Sequence, residues 1–309
     1  MSASPELTRL IAALRRQVVG PDVPVDVQRA DFEAASKRMR YLGDVKVTSV
    51  DAGGVDAEWL EPRGGSGRTL MWLHGGGYSI GSLNTVRPLC CNLANVTGAR
   101  VLSVDYRLAP EHPMPAAVED AVTAYRWLVS GPTDAETTAI GGDSAGGGLA
   151  AAALLTLRQA GAALPAAAVF LSPWADLTMS AVSIGVNSDP MFLPGQLEAM
   201  ADRYLAGQDP RSPQASPVYA DLSGFPPMLI HVGAGEALRD DSVALAEAGR
   251  AGGADVTLDE WDDVVHVWHS FAPVLPEAND ALRAIAAWLD AHMPAPARSV
   301  SRREGNYDG

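Results

Sequence analysis

Basic residues are scarce in this chain. Only 23 Lys and Arg stand against 37 Asp and Glu over 309 residues, a formal net charge of −14. Such an acidic surface argues against nucleic acid and anionic membrane partners. Cysteine is almost missing: Cys90 and Cys91 are neighbours, and adjacent cysteines close only a strained ring. They read as buried free thiols of a reducing, cytoplasmic compartment. A thiol nucleophile is the alternative, but the surrounding stretch is helix-like and has no pattern of basic residues to activate one. No apolar run reaches the roughly 18 residues of a transmembrane helix. The start, Ser2-Ala3-Ser4-Pro5-Glu6, lacks the basic patch and apolar core of a secretory signal. Also missing are Gly-x-Gly-x-x-Gly with its acidic partner, a P-loop, and any Cys/His cluster with zinc spacing, so no cofactor or metal is expected.

What is present is an ordinary globular composition, 47% hydrophobic, organised around one stretch. Gly142-Asp143-Ser144-Ala145-Gly146 follows an apolar, β-branched run from Thr137 to Ile140. It precedes the strong helix former Leu149 to Leu155, which is expected to stop at Gly161. Strand, sharp turn and helix together form the context of a nucleophile elbow, with Ser144 at the strained tip. A side chain at Gly142 or Gly146 would strike the neighbouring strand or helix. Read without its flanks, the pentapeptide is a glycine-rich junction holding a chance serine.

The rest of the chain alternates. Helical periodicity covers Pro5 to Val19 and Val27 to Leu42, and a hairpin follows over Val45 to Leu60, turning at Ala52-Gly53-Gly54. Strands are expected at 68–73, 100–105, 137–142, 166–171, 227–232 and 255–260. Helices are expected at 88–97, 116–130, 146–160, 236–250 and 276–291. This pattern implies an α/β fold with a mainly parallel, eight-stranded sheet covered by helices on both faces. Residues 177–220 break the rhythm, with no strand signal and one helical piece near Pro194 to Leu205. The tail from 294 to 309 is polar and aperiodic, and is expected to be disordered.

A serine nucleophile needs a base to take its proton and an acid to orient that base. In the Ser, acid, His order both lie downstream. His266, between the last strand and the last helix, is the favoured base. His269, three residues on, would face the same way on a helical turn. His231 lies inside a strand, where a satisfied core histidine is expected. The acid follows the strand ending at Val232, where Glu236, Asp240 and Asp241 compete. Glu236 sits directly after Gly233-Ala234-Gly235, in a loop that can turn back toward His266. Asp240 and Asp241 fall within the next helix, where the plain reading is a negative first turn complementing the dipole. Asp240 is expected to hydrogen-bond loop backbone and hold the histidine segment. Backbone N–H groups of Gly76, Gly77 and Ala145 are candidate oxyanion donors, with His74 anchoring its loop.

The set His74-Gly75-Gly76-Gly77, Asp105-Tyr106-Arg107-Leu108-Ala109-Pro110-Glu111, Gly142-Asp143-Ser144-Ala145-Gly146-Gly147, Ser172-Pro173-Trp174-Ala175-Asp176-Leu177, Ser188-Asp189-Pro190-Met191 and Val265-His266-Val267-Trp268 resembles the hormone-sensitive-lipase-like esterases, bacterial family IV. The resemblance spans residues 45 to 291. It implies an α/β-hydrolase core (45–176 and 221–293) and a helical cap built from 1–44 and an insertion at 177–220. It also implies a cofactor-free serine carboxylesterase for short acyl esters, often dimeric, with Asp143 and Asp189 in supporting positions. One departure stands out: many members carry Asp-Pro-x-x-Asp where this chain has Glu236-Ala237-Leu238-Arg239-Asp240, although some relatives do have Glu there. An amidase or arylformamidase would use the same triad. Receptor-like members that bind ligand without catalysis lack the catalytic histidine, whereas His266 is present here.

Overall fold

The computed structural model describes residues 3–16, 20, 23–131, 133–186 and 190–293. The expected tail at 294–309 and Asp189 lie outside the described residues. Two helices open the chain, α1 (Pro5–Leu14) and α2 (Val25–Ser36). The hairpin follows as β1 (Val45–Asp51) and β2 (Asp56–Pro62), then β3 (Thr69–Leu73), α3 (Leu83–Thr97) and β4 (Arg100–Val104). The centre is α4 (Ala116–Ser130), β5 (Thr138–Asp143), α5 (Ala145–Gln159) and β6 (Ala167–Leu171). Next come α6 (Val182–Val186) and α7 (Gln196–Leu205), then β7 (Met228–Gly233), α8 (Arg239–Ala251), β8 (Val256–Trp261) and α9 (Pro276–His292).

The eight strands form one sheet in the order β1-β2-β4-β3-β5-β6-β7-β8. The β1–β2 and β2–β4 pairs are antiparallel, and every pair from β4 through β8 is parallel. Side chains alternate across a strand, so the fully buried β3 feeds two cores. Met71 and Leu73 join a cluster with α4, α5, α7 and α8, while Leu70 and Trp72 join one with α1, α3 and α9. All the parallel strands present their carboxyl ends along one edge, which is where an open α/β sheet collects its site.

Several expected boundaries move, α2 ending at Ser36 rather than Leu42 among them, and two helix starts move for clear local reasons. Helix α3 starts five residues before Pro88 because Ser82 caps it, accepting from Asn84 and Thr85 N–H while Thr85 Oγ1 accepts from Ser82 N–H. That capping box outweighs the proline, which is tolerated inside the helix. Helix α8 starts at Arg239 rather than Glu236, because the Glu236 side chain turns back to accept from Gly233 N–H at 2.6 Å. Among the described residues no strand falls in 177–220, but the short helix α6 has no counterpart in the sequence reading.

Candidate active site

Strand β5 ends at Asp143 and α5 begins at Ala145, so Ser144 alone makes the turn between them, at φ 54° and ψ −123°. This region is strained for a residue with a side chain. The turn closes because its flanks are bare. A Cβ on Gly142 would collide with the Gly146 carbonyl, and one on Gly146 with that of Leu73. Ser144 N–H donates to Leu171 O at 2.8 Å, and its own carbonyl accepts from Trp174 N–H at 2.9 Å, tying the elbow to β6 and the segment after it.

Glu236 and His266 lie side by side. Glu236 Oε2 lies 2.8 Å from His266 Nδ1, and Glu236 is buried. Its other oxygen accepts from Gly233 N–H at 2.6 Å and from Ser172 Oγ–H at 2.9 Å. His266 packs against Phe192, with ring centroids 4.7 Å apart. Both His266 and Ser144 line a cavity of about 770 Å³.

The competing residues lie elsewhere. The left-handed Val267, at φ 48°, and the 3₁₀ turn Trp268–Phe271 carry His269 into the core. There its Nε2 is 3.1 Å from Nδ1 of the buried His231, whose Nε2 is 3.4 Å from Asp259 Oδ2. Burial holds the His269 imidazole well below its ordinary range, so it stays neutral. Asp240 does accept from backbone, but from Ser183 N–H on α6 at 2.9 Å, rather than holding the histidine segment. Its place in the first turn of α8 directs it at the insertion. Asp241 is buried and accepts from Ala175 and Asp176 N–H at 3.0 and 2.8 Å. Burial, with Asp176 beside it, pushes its carboxyl up to about 8.

The loop after β3 supplies donors. Gly76 (φ 120°) and Gly77 (φ 57°) adopt conformations that side chains resist, and Cβ atoms there would strike Ile80 O and Met200 Sδ. Among the described residues, no hydrogen bond is made by the N–H groups of Gly76, Gly77 or Ala145. Asp143 fixes this loop, its two oxygens accepting from Trp72 Nε1–H at 2.9 Å and Gly75 N–H at 3.0 Å. Burial pushes the Asp143 carboxyl up to about 6. His74 stacks on Tyr106 at 4.3 Å, with its Nδ1 2.7 Å from Gly75 O. Burial lowers its imidazole to about 4, so it is neutral and structural.

The cavity's other walls come from outside the sheet edge. Leu10 and Leu14 of α1, Phe32 and Met39 from and just after α2, and Phe192 and Met200 from residues 190–200 all line it. Arg29 fastens α2 in place, donating to Ser79 O at 2.8 Å and Ala109 O at 2.9 Å and pairing with Glu111 at 2.7 Å. Ser4 ties the start of α1 to Glu277, donating through N–H at 2.9 Å and through Oγ at 3.0 Å. Ser172, Trp72 and Arg29 were not singled out from sequence. Each acts through a partner at least 50 residues away, a distance that spacing cannot read. Among the described residues no three His, Cys, Asp or Glu side chains are grouped to hold a metal ion, and no helix is long and apolar enough to cross a membrane.

A strained serine between strand and helix at the carboxyl edge of this sheet defines an α/β-hydrolase. Residues 70–270 match the family described as alpha/beta hydrolase fold. An acetyl-hydrolase of Streptomyces hygroscopicus is 44% identical over 93% of this chain and 97% of its own length. An esterase of Acinetobacter venetianus is 34% identical over 78% and 81%. A solved esterase of the bacterial hormone-sensitive lipase family superposes with a TM-score of 0.91 at 44% identity, covering 95% of this chain and all of the other. The chain belongs to the α/β-hydrolase family, among the hormone-sensitive-lipase-like esterases. It is a carboxylic ester hydrolase.

Proposed function

We propose that the chain hydrolyses short-chain acyl esters through a Ser144–Glu236–His266 triad and an acyl-enzyme intermediate. The observation that carries this reading is the buried 2.8 Å contact between Glu236 and His266 beside a cavity that Ser144 shares. Ser144 Oγ attacks the ester carbonyl as His266 takes its proton through Nε2, the ring nitrogen turned from Glu236. Glu236 fixes the ring and balances the imidazolium. The oxyanion is received by the N–H groups of Gly76, Gly77 and Ala145, whose lack of protein acceptors leaves them pre-organised for it. His266 then protonates the departing alcohol. In the second half it activates a water that attacks the acyl-enzyme, and Ser144 is regenerated.

Residues 1–44 and 177–220 act as a cap over this cavity, excluding water and limiting the acyl chain. The acetyl-hydrolase name of a 44% identical relative supports a small acyl group. The substrate is a small-molecule ester. The buried thiols of Cys90 and Cys91 fit a reducing, cytoplasmic setting, and a homodimer is the assembly that the family resemblance suggests.

A p-nitrophenyl ester series from acetate to palmitate, with matched anilides and a Ser144→Ala control, tests the reading. Turnover should peak between acetate and hexanoate, with the variant slower by about 10⁵ to 10⁶ in kcat. Wild-type turnover by Ser144→Ala would end the triad reading. Faster cleavage of palmitate than butyrate would end the short-chain one, and faster cleavage of the anilides would make the enzyme an amidase.

A further inference from the structure

Two left-handed residues without glycine's freedom meet behind the Glu236–His266 pair. Ser172, the first residue after β6, has φ 47°, and Val267, the residue after His266, has φ 48°. For a β-branched valine this conformation is a true outlier, and each such residue is held only where surrounding contacts over-determine it. Here the contacts run through one hydroxyl. Ser172 Oγ donates to Glu236 Oε1 at 2.9 Å and accepts from Val267 N–H at 3.3 Å. The Ser172 backbone N–H donates to His231 O on β7 at 2.7 Å, so the hydroxyl is fixed from the sheet itself. The residue is fully buried, and it lies outside the cavity lining.

From this geometry we infer that Ser172 is a positioning residue for the reaction, joining the segment that carries the acid to the segment that carries the base through a single hydroxyl. The inference rests on the triad reading given above. A glutamate has one more rotatable bond than an aspartate, and its carboxylate needs more than one anchor to present a fixed oxygen to the imidazole. Gly233 N–H and Ser172 Oγ–H both grip Oε1, which leaves Oε2 to His266. The same hydroxyl, by accepting from Val267 N–H, holds the backbone turn that sets where the His266 ring projects. It also draws charge from the carboxylate. Without it, more negative charge would rest on Oε2, and the imidazolium would be favoured.

Among the described residues, the charged and titratable groups facing His266 include Glu236, Asp143 and the neutral His269. Of these, Glu236 is the one that Ser172 touches, so a shift in the pH profile of its variants reports on the hydroxyl's hold on that carboxylate. Ser172→Ala removes the hydroxyl and leaves a side chain in the left-handed region. Ser172→Gly removes it and relieves the backbone, and Ser172→Cys keeps a weak donor.

Steady-state kinetics on p-nitrophenyl acetate should show kcat lower by about 10- to 100-fold in both Ala and Gly variants, the size of one hydrogen bond to a charged group. KM should hold within about twofold, the acid limb should move to higher pH, and the Cys variant should recover part of the rate. Added to Glu236→Gln, Ser172→Ala should cost little more, because the pair acts as a unit. Wild-type kcat in a folded Ser172→Gly, or an unmoved acid limb in both variants, would overturn the inference. If Ser172→Ala fails to fold, Ser172→Gly decides alone. Full activity in Glu236→Gln would instead overturn the triad reading, whatever the Ser172 variants do.

Discussion

Glu236 Oε2 sits 2.8 Å from His266 Nδ1 across 30 residues of chain, while Asp240, four residues beyond Glu236, bonds the backbone of Ser183 instead. The distinction is made by the start of α8. Glu236 precedes the helix and is free to fold back under it, whereas Asp240 is carried outward on its first turn. Glu236→Gln should therefore lower kcat by about 10⁴, as loss of the orienting acid does in other triads. Asp240→Asn should slow the enzyme only a few-fold. Equal or reversed losses in kcat, with both variants folded by circular dichroism, would move the orienting role to Asp240.

The acid side of the pH profile should be steep. In the proposed mechanism His266 must be neutral, and Asp143, with its carboxyl pushed up to about 6 by burial, must be ionised to accept from both Trp72 and Gly75. Lowering the pH protonates both groups. A plot of log kcat/KM should approach a slope of about two below pH ~6. Asp143→Asn should reduce that slope to one and lower the plateau, because its amide meets one of the two donors with a donor. A slope of one in the wild type would separate Asp143 ionisation from activity.

How much of this was legible in the sequence follows from the kind of signal each feature leaves. Periodicity placed the eight strands in two ways: alternation about a Gly-Gly turn marked the antiparallel hairpin of β1 and β2, and apolar runs with helices between marked the parallel strands β3 to β8. The elbow was legible because Gly142 and Gly146 are steric requirements of a local turn. The choice between His266 and His269 was not a matter of spacing. Three residues apart on a helix they would share a face, but left-handed Val267 and a 3₁₀ turn send His269 the other way. Nothing local announces that turn. Pro88 misled in the opposite sense, since proline signals a helix start more often than a helix interior, and the Ser82 cap decided it. Ser172 lay within a quoted motif, but its partner stands 64 residues on and its role became visible only in three dimensions.

Stability should depend on pH through Asp241. An unfolded aspartate titrates near ~3.9, while in the folded chain burial pushes Asp241 up to about 8. Between those values the folded state holds a proton that the unfolded state has released, so stability falls as the pH rises from about 4 to about 8. Asp241→Asn removes this dependence. Its melting temperature relative to wild type should be higher near pH ~8.5 than near pH ~5. A difference that stays constant across pH would show that Asp241 is not protonated in the folded chain.

Arg29 is the natural place to loosen the proposed cap. Its guanidinium spans Ser79 O, Ala109 O and Glu111 and is partly exposed, so its loss should barely change the melting temperature. Arg29→Ala should raise KM several-fold and speed proteolytic cleavage within the first forty or so residues, leaving the α/β core intact. Cleavage at the wild-type rate would mean that α2 is held by its apolar contacts alone.

Asp143 and Ser144 share one peptide unit, yet their side chains attend to different ends of the reaction, one gripping Gly75 and the other attacking the ester. A thermal displacement of the elbow therefore carries the Gly75–Gly77 loop with it. The separation between the attacking oxygen and the waiting donors is set by a covalent neighbour and one 3.0 Å hydrogen bond, rather than by two independently fluctuating loops. Their motions are correlated by construction, and positional noise reaches the reacting centre mainly as movement of the whole assembly against the substrate.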